Sequence, residues 1–368
     1  MGLAVCAALL VLGALLLFVP FGAPAVRRLT SPPRAPEERS AGALRTVAFP
    51  ARDGTRLEGW LFTPRRDGRA PLVVMAPGLT GTKEGPVERF AWRFAREGLA
   101  VLAIDFRSFG GSDGEPRHHV DPFRQQEDYA AALDFARASL RDDPHVDVSR
   151  IALWGSSFSG GVAISLAAAR DDVAALVAQA PYLATPASQQ PSALRMPIYI
   201  AATVLDLLRA RVSAALRIAL PPVYLPAFGV PGEFAFATSR ENPSRRDASV
   251  RGAAFWRELP NPLRGGWGNA LLARFLADFD RFQPLAAIEQ VRCPVLLVAA
   301  AHDDLVPLAQ IEEAFARVGH AHKQLAVHDC GHFEVYTDPR FEENAAAQAR
   351  FLAEALKTSA SRSPSASA

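Results

Sequence analysis

Gly155-Ser156-Ser157-Phe158-Ser159 falls where a short apolar run ends and a helix-like run begins, a place suited to a nucleophilic serine. A serine exposed on a strand-to-helix turn occupies a tight, strained bend, so the residues two before and two after it must be small. Gly155 and Ser159 meet that need around Ser157, with serine where a second glycine is more usual. Ser159, flanked by Ser157 and Gly161, is a rival. Ser157 is preferred because Gly155 directly follows the apolar run, where the bend must start, and Gly160 and Gly161 then let the helix pack closely. Bulky Trp154 and Phe158 around Ser156 remove it from consideration.

A serine needs a base, and the base needs a carboxylate to orient it. Two later apolar runs, 295–300 and 324–328, lead into His302-Asp303-Asp304-Leu305-Val306-Pro307 and Asp329-Cys330-Gly331-His332-Phe333. Serine, carboxylate and histidine thus follow in order, each just after a strand-like segment, and that concurrence points to acyl transfer through a covalent intermediate. Asp303 is preferred to Asp304 from its spacing to Pro307, and His332 follows a loop glycine. Of the eight histidines, His118, His119, His145, His320 and His322 have polar or helical contexts and are expected at the surface, and His328 reads as structural. A tetrahedral intermediate needs two N–H donors. The amide of Phe158 is one, and that of Leu79, after Pro77-Gly78, is the other. No His/Asp/Glu cluster has metal-ligand spacing, and Gly110-Gly111-Ser112-Asp113-Gly114 lacks a phosphate-loop lysine and reads as a turn. No metal and no cofactor are expected.

The 368 residues are 49% hydrophobic and 21% charged, with a formal net charge of +2, which excludes a disordered chain and gives no electrostatic case for nucleic acid. Three cysteines, Cys6, Cys293 and Cys330, form no CxxC pair, so neither a disulfide scaffold nor a thiolate zinc site is expected.

The elements that would position these residues alternate. An opening hairpin is read over 44–49 and 56–62 around Asp53-Gly54, then buried strands at 71–76, 99–106, 151–154, 173–180, 295–300 and 324–328. Helices are read at 87–97, 122–140, 158–169, 307–318 and 341–356. Strands separated by helices imply a mostly parallel sheet covered on both faces. The alternation lapses between 182 and 282, read as an inserted cap between the two parts of the core, 44–181 and 283–357. Within it, 197–220 reads as an amphipathic helix rather than a membrane span, because Asp206, Arg209, Arg211 and Arg217 recur.

Residues 1–26 carry no charge and are nearly all aliphatic from Leu3 to Val19, long enough to cross a bilayer. They are expected to be a single-pass anchor. Arg27, Arg28 and Arg34 follow the apolar run and favour a cytoplasmic body, with export after signal cleavage near Ala23-Pro24-Ala25 as the alternative. Residues 27–43 read as a Pro-rich linker and 358–368 as a disordered tail.

Asp53-Gly54-Thr55 before Leu57-Glu58-Gly59-Trp60, Asp105-Phe106-Arg107-Ser108-Phe109-Gly110-Gly111-Ser112, the elbow around Ser157, Asp303 with Val306-Pro307, and Gly331-His332-Phe333 carry a family resemblance. From about 44 to 356 the chain resembles an α/β-hydrolase of the dienelactone-hydrolase and X-Pro-dipeptidyl-peptidase-like group. The resemblance implies a doubly wound, mostly parallel sheet with an inserted, mainly helical cap. It implies Ser157 as nucleophile, Asp303 as acid, His332 as base, and Leu79 and Phe158 as oxyanion amides. Three positions depart from the pattern: Pro77 stands where relatives commonly have histidine, and Ser108 and Ser159 stand where glycine is usual. The expected activity is hydrolysis of a small-molecule carboxylic ester through an acyl-enzyme. An acyltransferase or peptidase using the same triad, and a catalytically silent binding scaffold, are the alternatives.

Overall fold

The computed structural model describes residues 41–186, 189, 193–241, 268–279 and 281–359. The apolar runs become eight strands of one sheet: β1 (Gly42–Pro50), β2 (Arg56–Pro64), β3 (Ala70–Ala76), β4 (Ala100–Ile104), β5 (Val146–Ser156), β6 (Ala175–Gln179), β7 (Val295–Ala300) and β8 (Lys323–His328). Their order is β1-β2-β4-β3-β5-β6-β7-β8, with β2 antiparallel to β1 and β4 and the remaining pairs parallel. Five helices cover it: α1 (Pro86–Arg96), α2 (Pro122–Ser139), α3 (Phe158–Ala169), α5 (Leu308–Arg317) and α6 (Arg340–Ser359), while α4 (Met196–Leu216) lies in the insertion. The opening hairpin and every expected helix are present. β5 is longer than its apolar core, and β1 and α6 extend slightly past the boundaries expected at 43 and 358.

Strand periodicity sorts the core into two faces. Leu72, Val74 and Ala76 of β3 join Tyr129 and Leu133 of α2, Val162 of α3 and Ile311 of α5. Val73 and Met75 join Phe90 and Phe94 of α1 with Phe341 and Leu352 of α6. After β3 the chain pairs β4 on one side of it and β5 on the other, so the order reverses there. The carboxyl ends of β3 and β5 therefore part into a crevice, where ligands enter open α/β sheets.

Asp105, directly after β4, organises the loops beside that crevice. It is fully buried and accepts from the amides of Lys83 (2.7 Å) and Gly111 (2.8 Å) and from the Lys83 ammonium. Lys83 also donates to Glu58 on β2 at 3.0 Å. Burial would push the Lys83 pKa down, but Asp105 and Glu58 outweigh it and hold the ammonium above its ordinary range. Arg107 donates to Asp128 on α2 (2.8 Å) and to Asp53 of the hairpin turn (2.8 Å). Ser108, where glycine was the usual residue, takes the left-handed conformation at φ 67°. His118, expected at the surface, is buried. Its Nδ1 lies 3.1 Å from the Ala270 carbonyl, and burial pushes its pKa down to about 4.

Between β6 and β7 the described insertion is less helical than expected. It holds α4, an antiparallel pairing of Tyr224–Leu225 with Leu271–Leu272, and a parallel pairing of Phe228–Gly229 with Ala237–Thr238. Asp206 of α4 accepts from Val223 N (2.8 Å) and Arg274 Nε (2.5 Å), and Arg209 donates to the Pro221 carbonyl at 2.9 Å. Cys293 and Cys330 are free and buried, and burial pushes each thiol up to about 12. The expected anchor and the linker up to residue 40 lie outside the described residues. Among the described residues no helix is long and apolar enough to cross a membrane.

Removing one member of a buried charge group strands the others. Asp105→Ala is expected to lower the free energy of unfolding by about 3 kcal/mol, read as an earlier urea midpoint at unchanged m value.

Candidate active site

β5 ends at Ser156 and α3 begins at Phe158, leaving Ser157 alone in the bend at φ 55°, ψ −121°. A side chain rarely adopts that conformation, which costs about 1–3 kcal/mol and persists only where surroundings impose it. Here they do. The Ser157 amide donates to Gln179 O at 2.8 Å, and its carbonyl accepts from Gly160 N and Tyr182 N, each at 2.9 Å. A Cβ on Gly155 would meet the Ser159 carbonyl oxygen at 2.3 Å, so only glycine fits where the bend begins.

Ser159 is not free to react. Its hydroxyl lies 2.8 Å from Ala76 O and 3.0 Å from Ser156 O, and accepts from Ser156 N at 2.9 Å, in full burial. It pins the elbow to the end of β3. Ser156 points the other way, hydrogen-bonded to Tyr336 (2.5 Å) and Gln179 (3.0 Å). Of the three, only Ser157 lines the cavity that opens over the crevice.

The two later loops deliver their residues to it. His332 Nε2 lies 3.1 Å from Ser157 Oγ, and Nδ1 lies 2.6 Å from Asp303 Oδ2. Asp303 Oδ1 accepts from the amides of Leu305 and Val306, each at 2.8 Å, which fixes the carboxylate before it meets the ring. Burial works against protonating His332, but Asp303, with Glu241 and Asp304 behind it, outweighs that and raises its pKa above the ordinary 6.5. In this geometry an imidazole can take a hydroxyl proton while a carboxylate holds the opposite ring N–H. Phe158 opens α3, at a position whose amide has no acceptor within the helix. Gly78 approaches so closely that a Cβ there would lie 3.2 Å from Ser157 Cβ, which places the loop bearing Leu79 against the serine.

One residue of the insertion, Glu241, completes the site, and sequence spacing gave no signal for its role. Buried Glu241 accepts from the amides of His332 (2.7 Å) and Phe333 (3.0 Å), although it lies 91 residues before His332. Desolvation raises its pKa against the pull of those amides and the nearby imidazole. Asp304, set aside as the acid, accepts instead from Arg240 N at 2.8 Å, and its carbonyl accepts from Gln189 Nε2 at 2.9 Å. Both carboxylates fasten the insertion to the core loops.

A cavity of about 540 Å³ opens over Ser157, walled mainly by apolar groups including Tyr182, Ile200, Phe228, Phe236 and Phe279. A hollow of about 60 Å³ lies on the His332 side, bordered by Pro77, Thr82 and Glu84. Burial, with Asp105 and Glu58 adding to it against Lys83, pushes the Glu84 carboxyl up to about 7. Among the described residues no group of three or more His, Cys, Asp or Glu is placed to hold a metal ion.

A doubly wound sheet with a strained serine at the switch point defines an α/β hydrolase. Residues 69–340 match the family described as serine aminopeptidase, S33, and the chain belongs to that family of α/β hydrolases. The superfamily is the one the sequence resembles; the match does not single out the dienelactone-hydrolase and X-Pro group. The chain is 30% identical over 307 residues to the quorum-quenching protein AidA of Acinetobacter baumannii, covering 83% of this chain and 93% of AidA. It is 30% identical over 265 residues to the polyketide transferase ATR5 of Stachybotrys chlorohalonatus, 70% of this chain and 80% of that one. The crystal structure of the α/β hydrolase GrgF from Penicillium sp. sh18 is similar, with a TM-score of 0.68 at 25% identity, over 86% of this chain and 99% of GrgF.

A Cβ on Gly331 would sit 1.7 Å from Glu241 Oε1. Gly331→Ala must push that carboxylate off the His332 and Phe333 amides, and is expected to destabilise the fold by about 1–3 kcal/mol, measured by chemical denaturation.

Proposed function

We propose that this hydrolase cleaves a small-molecule ester with an apolar acyl group, using Ser157 as nucleophile, His332 as base and Asp303 as the acid that orients it. The Asp303–His332–Ser157 hydrogen-bond chain carries the reading. Ser157 Oγ attacks the carbonyl carbon as its proton passes to His332 Nε2. The developing oxyanion is met by the amides of Phe158 and Leu79. The ester C–O bond breaks as His332 gives that proton to the leaving alcohol. A water then repeats the sequence, releasing the acid and restoring the serine. The apolar cavity over Ser157 supports an acyl group larger than acetyl. No step calls for a cofactor. We assign residues 1–26 as a membrane anchor with the body on the cytoplasmic side, on the strength of the apolar run and the arginines after it.

The hollow on the other side of the serine favours a second reading, transfer of the acyl group to an alcohol or thiol seated beside His332. A relative called a polyketide transferase agrees with it. The acylated enzyme would be the same, and only the acceptor would differ.

Ser157→Ala is expected to cut kcat/KM for p-nitrophenyl esters by roughly 10⁶-fold and to abolish fluorophosphonate labelling. Full activity in that variant would overturn the assignment. Because the base must be neutral and its pKa is raised, the acid limb of kcat/KM should lie above pH 6.5. Glu241→Gln removes a negative charge facing the imidazole and should move that limb to lower pH. Added alcohols and thiols distinguish hydrolysis from transfer: transfer predicts that product is diverted from free acid to the new ester in proportion to acceptor, and hydrolysis predicts none.

A further inference from the structure

Helix α4 is turned inside out for a helix in water. Two of its three charged residues, Asp206 and Arg209, are 0% and 1% exposed, engaged with Arg274, Val223 and Pro221, while Ile198, Ile200, Val204 and Leu208 are 53%, 55%, 58% and 48% exposed. At 100° per residue, Pro197, Ala201, Val204, Leu208, Arg211 and Ala215 fall on one exposed face with Ile198 and Ile200 at its borders, so the face is apolar over its first three turns and ends on an arginine. Leu194 before the helix and Ile218 after it extend the patch. Contiguous exposed apolar surface of this kind marks an interaction site.

We propose that this face of α4 lies in the interfacial layer of an anionic lipid bilayer and passes apolar substrate directly into the cavity. Charge and continuity single out that occupant. Arg211 and Arg217 are exposed at the carboxyl end, with no ion pair among the described residues, and the helix's one acidic residue, Asp206, is buried. A helix whose apolar face ends in basic residues suits an anionic interface, because a long arginine stem can lie along the apolar layer while its guanidinium reaches the headgroups. Met196, Ile200 and Val204 are exposed and at the same time line the cavity that holds Ser157. What covers the face must therefore let an acyl chain through, which a lipid layer does. The apolar run of residues 3–19 is consistent with a body held close to a bilayer, but this face would dock independently of it.

The test uses the full chain with Cys6→Ser and an environment-sensitive fluorophore at Leu208→Cys. A control label replaces Asp67, in the turn before β3, at the opposite end of the sheet from the crevice. Phosphatidylcholine vesicles, with and without phosphatidylglycerol, carry doxyl quenchers in the upper acyl region. The proposal predicts a blue shift and quenching at 208, stronger with phosphatidylglycerol, and no response at 67. It is overturned if vesicles leave the 208 label unchanged. It is equally overturned if that label is already shielded without vesicles, as the chain's own residues 3–19 would do, or if shielding grows with protein concentration, as a second copy would do. Because the readout is depth and not turnover, repeating it in Ser157→Ala keeps it independent of the proposed reaction. Ile198→Glu/Leu208→Glu, outside the cavity, should lower turnover of a vesicle-borne long-chain ester about tenfold and leave a water-soluble butyrate ester unchanged. Equal loss on both esters would argue against delivery from lipid.

Discussion

A serine at φ 55° does not hold that conformation by itself, and much of the molecule serves to impose it. Gly155 permits the turn, the hydroxyl of Ser159 ties it to the end of β3, and Gln179 and Tyr182 hold the amide and carbonyl of Ser157. Behind the elbow, Gln179 Oε1 accepts from Asn344 and Gln348 of α6, each at 2.7 Å, and Gln348 accepts from Trp154 at 2.6 Å. This buried polar network is fully engaged, which is the condition under which such a network stiffens a core. It links the strand carrying the serine to the helix that follows the histidine, so their spacing is held from two sides.

The base is fixed differently. His332 sits in a loop with little secondary structure of its own, and its backbone is held by a carboxylate of the insertion, Glu241. Asp304 and Gln189 bind the insertion to the acid loop in the same way. The wall of the substrate cavity and the orientation of the base thus rest on one set of contacts. A change that loosens the insertion reaches the imidazole through two amide hydrogen bonds.

Much of this was legible in the sequence because it follows from local rules. Continuous apolar runs gave the strands, and the demand for small residues around a strained serine gave Ser157. Successive strand ends gave Asp303 and His332, and the structure brings all three together. What could not be read was long-range pairing of polar groups. Lys83 carries no signal until Asp105 and Glu58 close on it, and Glu241 looks like any insertion glutamate until the fold sets it under His332. His118 reads as a surface residue because its neighbours in sequence are polar, while its neighbours in space are Phe109 and the Ala270 carbonyl. Recurring charges did identify α4 as something other than a membrane span, but not that two of them point inward.

The two buried cysteines bear on what holds such a body together. With thiols pushed up to about 12, Cys293 and Cys330 remain protonated at physiological pH and are poor partners for oxidants or thiol exchange. Both are free, so the hydrolase body relies on packing and hydrogen bonds rather than on a covalent tie that one redox environment would make and another would break. Among the described residues no covalent cross-link ties the elements together, so the seating of the three catalytic loops rests on how well the strands and helices beneath them pack.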